Sequence, residues 1–548
     1  MLTARVPLPS ASFVRLSDRL CDRIAVVVLL GLGAVAAFTF RAYGLGWDDF
    51  THSEYGDLLL AYYTSGFTDR RALSFVNLYM YGGGFDLVSA IAAKVLPFDL
   101  FETRRLMGAV VGITGLAVVW RLARRLGGPL AGLLALILLA TTPMFYGHMF
   151  MNAKDGPFAV AMCVLLLALV RAIEEYPAPS AGLVVGVGAA TGLVIGTRVL
   201  GGIAVLFAIA PLALLVIHDL RQDGWRPAFG RLAWFALILA TGLPVGYVLM
   251  GVLWPWSTLE PLNPIRAVTY FSHFFEKPWR ELYEGAAVLV PDMPSSYLPR
   301  LFALKLPEIV LALAIAGSIG ILVAATRAAI PVRRRAALLL VWGAAAVPIV
   351  IAMITRPALY NGLRHFLFIV PPIAVIAGVT AAAIVEWLRP RGKAALIACV
   401  AVLAVGIAAT IRDMARLHPY QYAYFNTLAG GVRGADRAYM LDYWGLAFKQ
   451  ATAELRANIE AQQAMPPAGR RYWIVAVCGP QRVAQVEFGP KFQTTSNPHG
   501  ADFALVLREF YCREINAPIA AEVVRDGVPF ATVYDIRGRS VSSLSTPP

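Results

Sequence analysis

Trp47-Asp48-Asp49-Phe50-Thr51-His52-Ser53-Glu54-Tyr55 follows directly on the first long apolar run of the chain, Ile24–Phe40. Ionised groups next to hydrocarbon cost several kcal/mol unless they are solvated or paired, so two adjacent carboxylates at this place are poor packing material. At the water edge of a membrane they can instead accept a proton from a reacting hydroxyl. A plain acidic pair that only solvates a loop is the other reading, and the rest of the chain has to decide between them.

Outward from this stretch the sequence is a succession of apolar segments. Of its 548 residues, 58% are hydrophobic and 15% charged, against about 45–50% and about 25% in soluble domains. We read eleven spans: Ile24–Phe40, Leu106–Trp120, Leu130–Phe145, Pro157–Ile173, Ala181–Ile195, Val199–Ile217, Leu232–Leu253, Leu306–Ala325, Ala336–Ile354, Phe366–Ile384 and Ala394–Ile411. Only helices and closed barrels satisfy their backbone in lipid, and runs of this length predict helices. The fold class is therefore a polytopic α-helical membrane protein. An alternate count of twelve or thirteen promotes Met80–Leu96 or splits the Leu232 region. Met80–Leu96 carries Gly82-Gly83-Gly84, Asp86 and Lys94, which suits an interfacial helix better than a span.

The formal net charge of +14 does not point to nucleic acid, because the basic residues are not gathered on one domain. With the N-terminus in the cytoplasm, the inner loops hold Arg121, Arg124 and Arg125, Arg171, Arg221, Arg226 and Arg231, Arg327 and Arg333–Arg335, and Arg389, Arg391 and Lys393. The short outer loops hold only Lys154, Arg198, Arg356 and Arg364. This is the positive-inside pattern. Arg5, Arg15, Arg19 and Arg23 precede the first run and read as the flank of an uncleaved signal anchor. The assignment puts Arg41–Arg105, Trp254–Lys305 and everything from Arg412 onward outside, and with them Asp48 and Asp49. The aromatic, proline-rich segment Trp254–Lys305 reads as an interfacial girdle or as a lid over a lipid substrate.

Residues 1–411 thus form a membrane domain and 412–548 a small soluble α/β or α+β tail. In the tail, Gly445–Gln463 predicts an amphipathic helix, and Tyr472–Val477, Phe503–Leu507 and Ala531–Ile536 predict strands. No Rossmann or P-loop fingerprint occurs there. Cys478 and Cys512 each follow a predicted strand; they form a disulfide, which an outer compartment permits, or stay as two buried thiols. No cysteine spacing reads as a zinc site.

Polar residues recur at the outer ends of the spans. His148 precedes Asn152-Ala153-Lys154-Asp155-Gly156-Pro157; Pro157 suits the first turn of a helix and Asp155 its cap, but capping leaves His148 and Lys154 unexplained. Arg198 in Gly196-Thr197-Arg198 and Arg364 in Asn361-Gly362-Leu363-Arg364-His365 lie beside apolar runs. Each is an interfacial anchor or a phosphate contact, since guanidinium binds phosphate oxygens well. Two such arginines with Lys154, on the face that bears the acidic pair, suggest a site for an anionic headgroup.

These residues resemble a family. An acidic motif in the first outer loop, interfacial helices after it, the basic "RLARRLGG" loop (Arg121–Gly128) and "FYGHMFMNAKDGPF" (Phe145–Phe158) are similar to GT-C glycosyltransferases. The branch is that of protein O-mannosyltransferases and the lipid A aminoarabinose transferase. "GTRVLG" (Gly196–Gly201) and "GLRHFLFIVPP" (Gly362–Pro372) resemble later family segments, and "HPYQYAYFNTLAGG" (His418–Gly431) with "DYWG" (Asp442–Gly445) resemble a tail feature of bacterial members. The family's acidic pair is commonly Asp-Glu and here is Asp-Asp. The resemblance implies inverting transfer of a sugar from a polyprenyl-phosphate donor to a lipid, glycan or protein acceptor, on the outer face of a bacterial cytoplasmic membrane. It implies catalytic roles for Asp48, Asp49 and Asp155, and substrate contacts from His52, His148, Lys154, Arg198, Arg364 and His365. No cofactor follows from these motifs, and a divalent metal stays open. Rival readings are a lipid or sugar flippase, which would show inverted repeats with broken helices, and a non-enzymatic scaffold, which leaves the outer polar set without a purpose.

Overall fold

The computed structural model describes residues 18–272 and 279–545. Arg5 and Arg15 of the basic N-terminal flank lie outside the described residues; Arg19 and Arg23 open the first helix, Asp18–Thr39. Every apolar run of the sequence is helical. Among the described residues nine helical segments are long and apolar enough to cross a membrane, or ten if the pair Pro129–Ala140 and Pro143–Met151, bent by 64°, is one broken span rather than a re-entrant loop. The bend falls where Thr142 is extended (φ −89°, ψ 106°) before Pro143, because proline disfavours helical geometry in the residue that precedes it. Ala181–Ile195 is a shorter apolar helix. The Leu232 region is one span, Trp225–Leu253, with a local break between Trp225–Ala240 and Leu243–Leu253, so it does not add a crossing. Within Met80–Leu96 only Gly84–Ala93 is α-helical. Ten residues rise about 15 Å, half the hydrocarbon thickness, so this helix does not span.

The loops sorted by their Lys/Arg content meet at opposite ends of the bundle. At one end Arg124 pairs with Asp22 at 2.7 Å, Arg125 pairs with Glu174, and Arg333 donates to the Glu174 carbonyl at 3.2 Å. At the other end the Gly83 N–H donates to the Leu253 carbonyl at 2.9 Å and the Trp254 indole to the Tyr79 carbonyl at 2.8 Å. Asn426 of the tail reaches the carbonyls of Ala303 and Leu306 at 2.6 and 2.8 Å at that same end. The segment 254–305 is tied down there through a hairpin of β1 (Arg280–Tyr283) and β2 (Ala286–Leu289). The buried Glu281 of β1 accepts from the backbone N–H groups of Asn361 and Gly362 at 3.0 and 3.3 Å, and from the Tyr297 hydroxyl at 3.1 Å.

The last membrane helix, Lys393–Leu417, runs past residue 411. The tail then forms a mixed five-stranded sheet from β3 (Trp473–Cys478), β4 (Phe492–Thr495), β5 (Phe503–Leu507), β6 (Ile519–Arg525) and β7 (Val528–Asp535), in the order β4-β3-β5-β7-β6. β3 is parallel to β4 and β5, and β7 is antiparallel to β5 and β6. β4 and β6, at the two sheet edges, escaped the sequence reading because each buries few residues and offers no continuous apolar run. The predicted amphipathic helix is Phe448–Ala461. Cys478 at the end of β3 is joined to Cys512 by a disulfide. The tail is not a separate ball: one hydrophobic core runs from Leu116 and Phe158 of the bundle through Tyr422 and Trp444 to Phe530 of the sheet.

Candidate active site

The loop after the first membrane helix enters the helix Asp49–Thr64 with its two aspartates facing different surroundings. Asp49 is 3% exposed. Arg105 grips it with both ends of the guanidinium, Nη1 to Oδ1 at 2.9 Å and Nη2 to Oδ2 at 2.5 Å, and the Gly46 N–H donates to Oδ2 at 2.7 Å. One turn further on, His52 Nδ1 lies 2.8 Å from Asp86, which also accepts from Arg104 Nη2 at 2.5 Å. Arg104 and Arg105 are neighbours near the start of the helix Leu100–Gly127, whose N-terminus is capped by Asp99 accepting from the Phe101 and Glu102 N–H groups. Burial would raise the Asp86 carboxyl; His52 and Arg104 outweigh it and hold it below its usual range. These two carboxylates are saturated with donors.

Asp48 is different. Its side chain keeps 43% of its surface, and among the described residues its one ion pair is with Arg364, whose Nη1 donates to Oδ2 at 3.3 Å. Surrounding protein would raise its pKa, but the charges of Arg364 and Lys154 pull it below the ordinary carboxylate value, so Asp48 is ionised at neutral pH. With Asp49, His52, Asn152, Lys154 and Trp444 it lines a small cavity of about 10 Å³, room for about one water molecule.

The opposite wall is built around Asn152. Its Oδ1 accepts from the N–H groups of Lys154 and Asp155 at 3.2 and 2.8 Å, and its Nδ2 donates to Asp155 Oδ2 at 3.0 Å and to His148 Nδ1 at 3.1 Å. His148 Nδ1 is therefore an acceptor, and Nε2 carries the proton it donates to the Tyr443 hydroxyl oxygen at 3.2 Å. The expected cap at Asp155 is not made: Asp155 lies inside the helix Asp155–Glu174 and its carboxylate pairs with Arg198 instead. Lys154 Nζ sits 4.2 Å over the Tyr81 ring, and burial pushes its ammonium down to about 7. Arg198 stacks near Tyr81 and Phe158. Arg364 is buried between the rings of Tyr360 and Trp444, 4.8 Å from each, and its Nε has no partner among the described residues. His365 packs edge-on against Tyr360 at 4.8 Å.

Tail residues complete the enclosure. The buried Asp442 takes the Tyr422 hydroxyl and the N–H groups of Gly445, Leu446 and Ala447 at 3.0, 3.0 and 2.9 Å. Burial still raises its carboxyl to about 6. Gly445 has φ +80°, a left-handed turn that glycine adopts freely. The loop so pinned delivers Tyr443 to His148 and Trp444 to Arg364. The indole lies flat on Gly46, where an added Cβ would fall 1.5 Å from its Cδ1.

All nine residues singled out from the sequence lie at this end of the molecule. Asp48, Asp49, His52 and Lys154 share the cavity; Arg364 reaches it through Asp48; His148, Asp155 and Arg198 join through Asn152; and His365 stands behind Tyr360. Arg104, Arg105, Asp86 and Trp444 were missed as side chains with a role. The arginine pair had a signal, because two arginines at an outer span end run against the positive-inside bias. A divalent metal does not fit: Asp49, Asp86 and Asp155 are each paired with an arginine, and among the described residues no group of three His, Cys, Asp or Glu could hold an ion.

A family model described as dolichyl-phosphate-mannose-protein mannosyltransferase matches residues 85–247. That segment carries Asp86, Arg104, Arg105, His148, Asn152, Lys154, Asp155 and Arg198, and the match agrees with the resemblance to GT-C glycosyltransferases. No curated protein matches the sequence. Among solved structures, ArnT from Cupriavidus metallidurans bound to undecaprenyl phosphate is similar at 18% identity, over 93% of this chain and 97% of that one, with a TM-score of 0.49. The oligosaccharyltransferase AglB from Archaeoglobus fulgidus, in complex with an inhibitory peptide and a dolichol-phosphate, is similar at 12% identity, over 88% of this chain and 69% of that one, with a TM-score of 0.48.

Proposed function

We propose that this chain moves a sugar from a polyprenyl-phosphate carrier to a lipid, glycan or protein acceptor, at the outer face of a bacterial cytoplasmic membrane. In this reading Asp48 is the general base and the anomeric centre inverts. The observation that carries it is the contrast in one cavity. Asp48 is an ionised carboxylate that keeps part of its surface open and has Arg364 and Lys154 beside it, whereas its neighbour Asp49 is closed off by Arg105. The family-model match over 85–247 supports a dolichyl-type, that is polyprenyl, phosphate donor.

The donor phosphate lies against Lys154 and Arg364, with Arg198 behind them, so that cationic donors face the charge that develops as the carrier leaves. Asp48 takes the proton of the acceptor hydroxyl. The freed oxygen forms its bond to the anomeric carbon while the bond from that carbon to the phosphate oxygen breaks, and polyprenyl phosphate departs as the anion. Asp49 and Asp155 act as positioning residues: Asp49 fixes the first turn that carries Asp48, and Asp155 aims Arg198. His52 holds Asp86, and His148 ties the tail to Asn152. His365 packs behind Tyr360 and keeps Arg364 in place.

The test is turnover by purified protein with labelled undecaprenyl-phosphate sugars and a bacterial membrane extract as the acceptor pool. Asp48→Asn should fold and bind undecaprenyl phosphate while losing about 10²–10⁴-fold in rate, the range for a general base. Near-normal transfer by this variant would remove Asp48 from the chemistry.

A further inference from the structure

Glutamate is almost never fully buried unless it is paired, yet Glu281 on the short strand β1 is 2% exposed and has no ion pair among the described residues. Its partners are neutral donors. Asn361 N–H donates to Oε2 at 3.0 Å and Gly362 N–H to Oε1 at 3.3 Å. The Tyr297 hydroxyl donates to Oε1 at 3.1 Å and itself accepts from Gly362 N–H at 3.1 Å. Successive N–H groups of a turn that converge on one anion form a nest. Both turn residues are left-handed, with φ +55° at Asn361 and +67° at Gly362. L-residues adopt that conformation at a cost, asparagine more readily than most, so the turn needs something to hold it. The pinned dipeptide stands between two residues of the candidate site. Tyr360 precedes it and Arg364 follows two positions on. The Tyr360 ring lies 4.8 Å from the Arg364 guanidinium, which reaches Asp48. With so few bonds between them, a turn that swings carries both along. The hairpin is braced in its turn by the tail, where Gly285 N–H donates to the Ala438 carbonyl at 3.1 Å and Tyr283 bridges to Tyr439.

We propose that Glu281 is a positioning residue for Arg364: its carboxylate is the template on which the Asn361-Gly362 turn closes, so that the outer hairpin sets where the guanidinium meets the donor phosphate. This rests on the glycosyltransferase reading above. Tyr297 serves the same template, because its hydroxyl bridges Glu281 and Gly362.

The experiment measures affinity for undecaprenyl phosphate on the full-length protein, for wild type, Glu281→Gln, Arg364→Met and the two combined, with the unfolding temperature beside it. Glutamine keeps the shape but offers one acceptor oxygen where three donors converge. Glu281→Gln should weaken carrier binding about tenfold, the size of one hydrogen bond to a charged group. The combined variant should bind no more weakly than Arg364→Met alone, because a residue that acts through Arg364 has nothing to position once it is gone. A Glu281→Gln loss that persists by more than about twofold in the Arg364→Met background exceeds the error with which independent effects add and overturns the proposal. Wild-type carrier binding by Glu281→Gln, whatever its unfolding temperature, overturns it as well, since a purely structural residue would move only the stability. So does wild-type binding by Arg364→Met. If Glu281→Gln does not fold, Gly362→Ala takes its place under the same outcomes: an added Cβ there meets only the Tyr443 ring at 3.8 Å, but the left-handed turn is disfavoured. Wild type that binds the carrier while the two effects add loses the positioning role alone. Wild type that does not bind the carrier sinks the glycosyltransferase reading, and this proposal with it.

Discussion

Asp48 and Asp49 are adjacent in sequence and identical in chemistry, but they lie in two regions with opposite character. On the Asp49 side, Asp49, Asp86, His52, Arg104 and Arg105 form a buried lattice in which each carboxylate oxygen has a donor, while Arg104 Nε and Nη1 and Arg105 Nε have no partner among the described residues. On the Asp48 side, Lys154 rests on an aromatic ring, Arg364 has an idle Nε, and Asp48 makes one long contact of 3.3 Å. A carboxylate with both oxygens engaged holds a shape, whereas one that is to take a proton has to keep an oxygen ready. The difference teaches that the number of charges at a membrane edge does not mark a site; a carboxylate left without full partners does.

The comparison breaks most directly at Arg105. Arg105→Ala leaves Asp49 buried without its partner, and removing one member of a buried pair costs about 3–5 kcal/mol. Thermal unfolding in detergent should show that loss. The double variant Asp49→Asn/Arg105→Met should recover much of it and still bind undecaprenyl phosphate, because a buried pair can be replaced by neutral groups of similar volume. A stable Arg105→Ala would mean that the lattice holds nothing.

A smaller effect is expected at Asp86. Asp86→Asn weakens charge-assisted bonds to His52 and Arg104, worth about 1.5–3 kcal/mol, and should lower the unfolding temperature while leaving carrier affinity within a few-fold of wild type. A selective loss of carrier binding at unchanged stability would move Asp86 from the scaffold into the pocket.

The smallest effect sharpens the Asp48 side. Lys154, lowered by burial to about 7, is a cation below that pH and neutral above it. Binding of an anionic phosphate that needs the cation is therefore full below pH 7 and falls as pH rises through it. By proton linkage the loss is about tenfold between pH 6 and 8. Asp48, whose pKa is lowered, stays ionised throughout this window and contributes no slope there. Lys154→Arg, which keeps its charge, should bind with a flat profile; a wild-type profile that is already flat would take Lys154 out of phosphate recognition.

Much of the frame was legible in the residues. Apolar runs near the thickness of a bilayer can only be helices, so all eleven runs are helical, two of them with a break, and the Lys/Arg bias sorted their loops into the two groups that meet at opposite ends. The Thr141-Thr142-Pro143 break in the third run was visible as a proline but was read through. In the tail, continuous runs such as Phe503–Leu507 stood out, while β6, with alternating burial at a sheet edge, did not. The polar set at this end of the bundle was found because charges beside hydrocarbon are costly wherever they stand.

What the sequence determined by itself follows from local physics: hydropathy fixes which segments cross, charge bias sorts the connecting loops, and misplaced polar residues mark the end that carries the site. Which aspartate is free, which arginine is held, and that Trp444 of the tail closes the cavity were decided only by tertiary structure. Asp48 and Asp49 differ by one step along a helix start, and that step turns one carboxylate toward Arg105 and the other toward Lys154 and Arg364. Partners from positions 105, 154, 364 and 444 come together only when the helices pack and the tail folds back onto them. No spacing in the chain encodes that meeting, because it depends on how separate helices fit against one another.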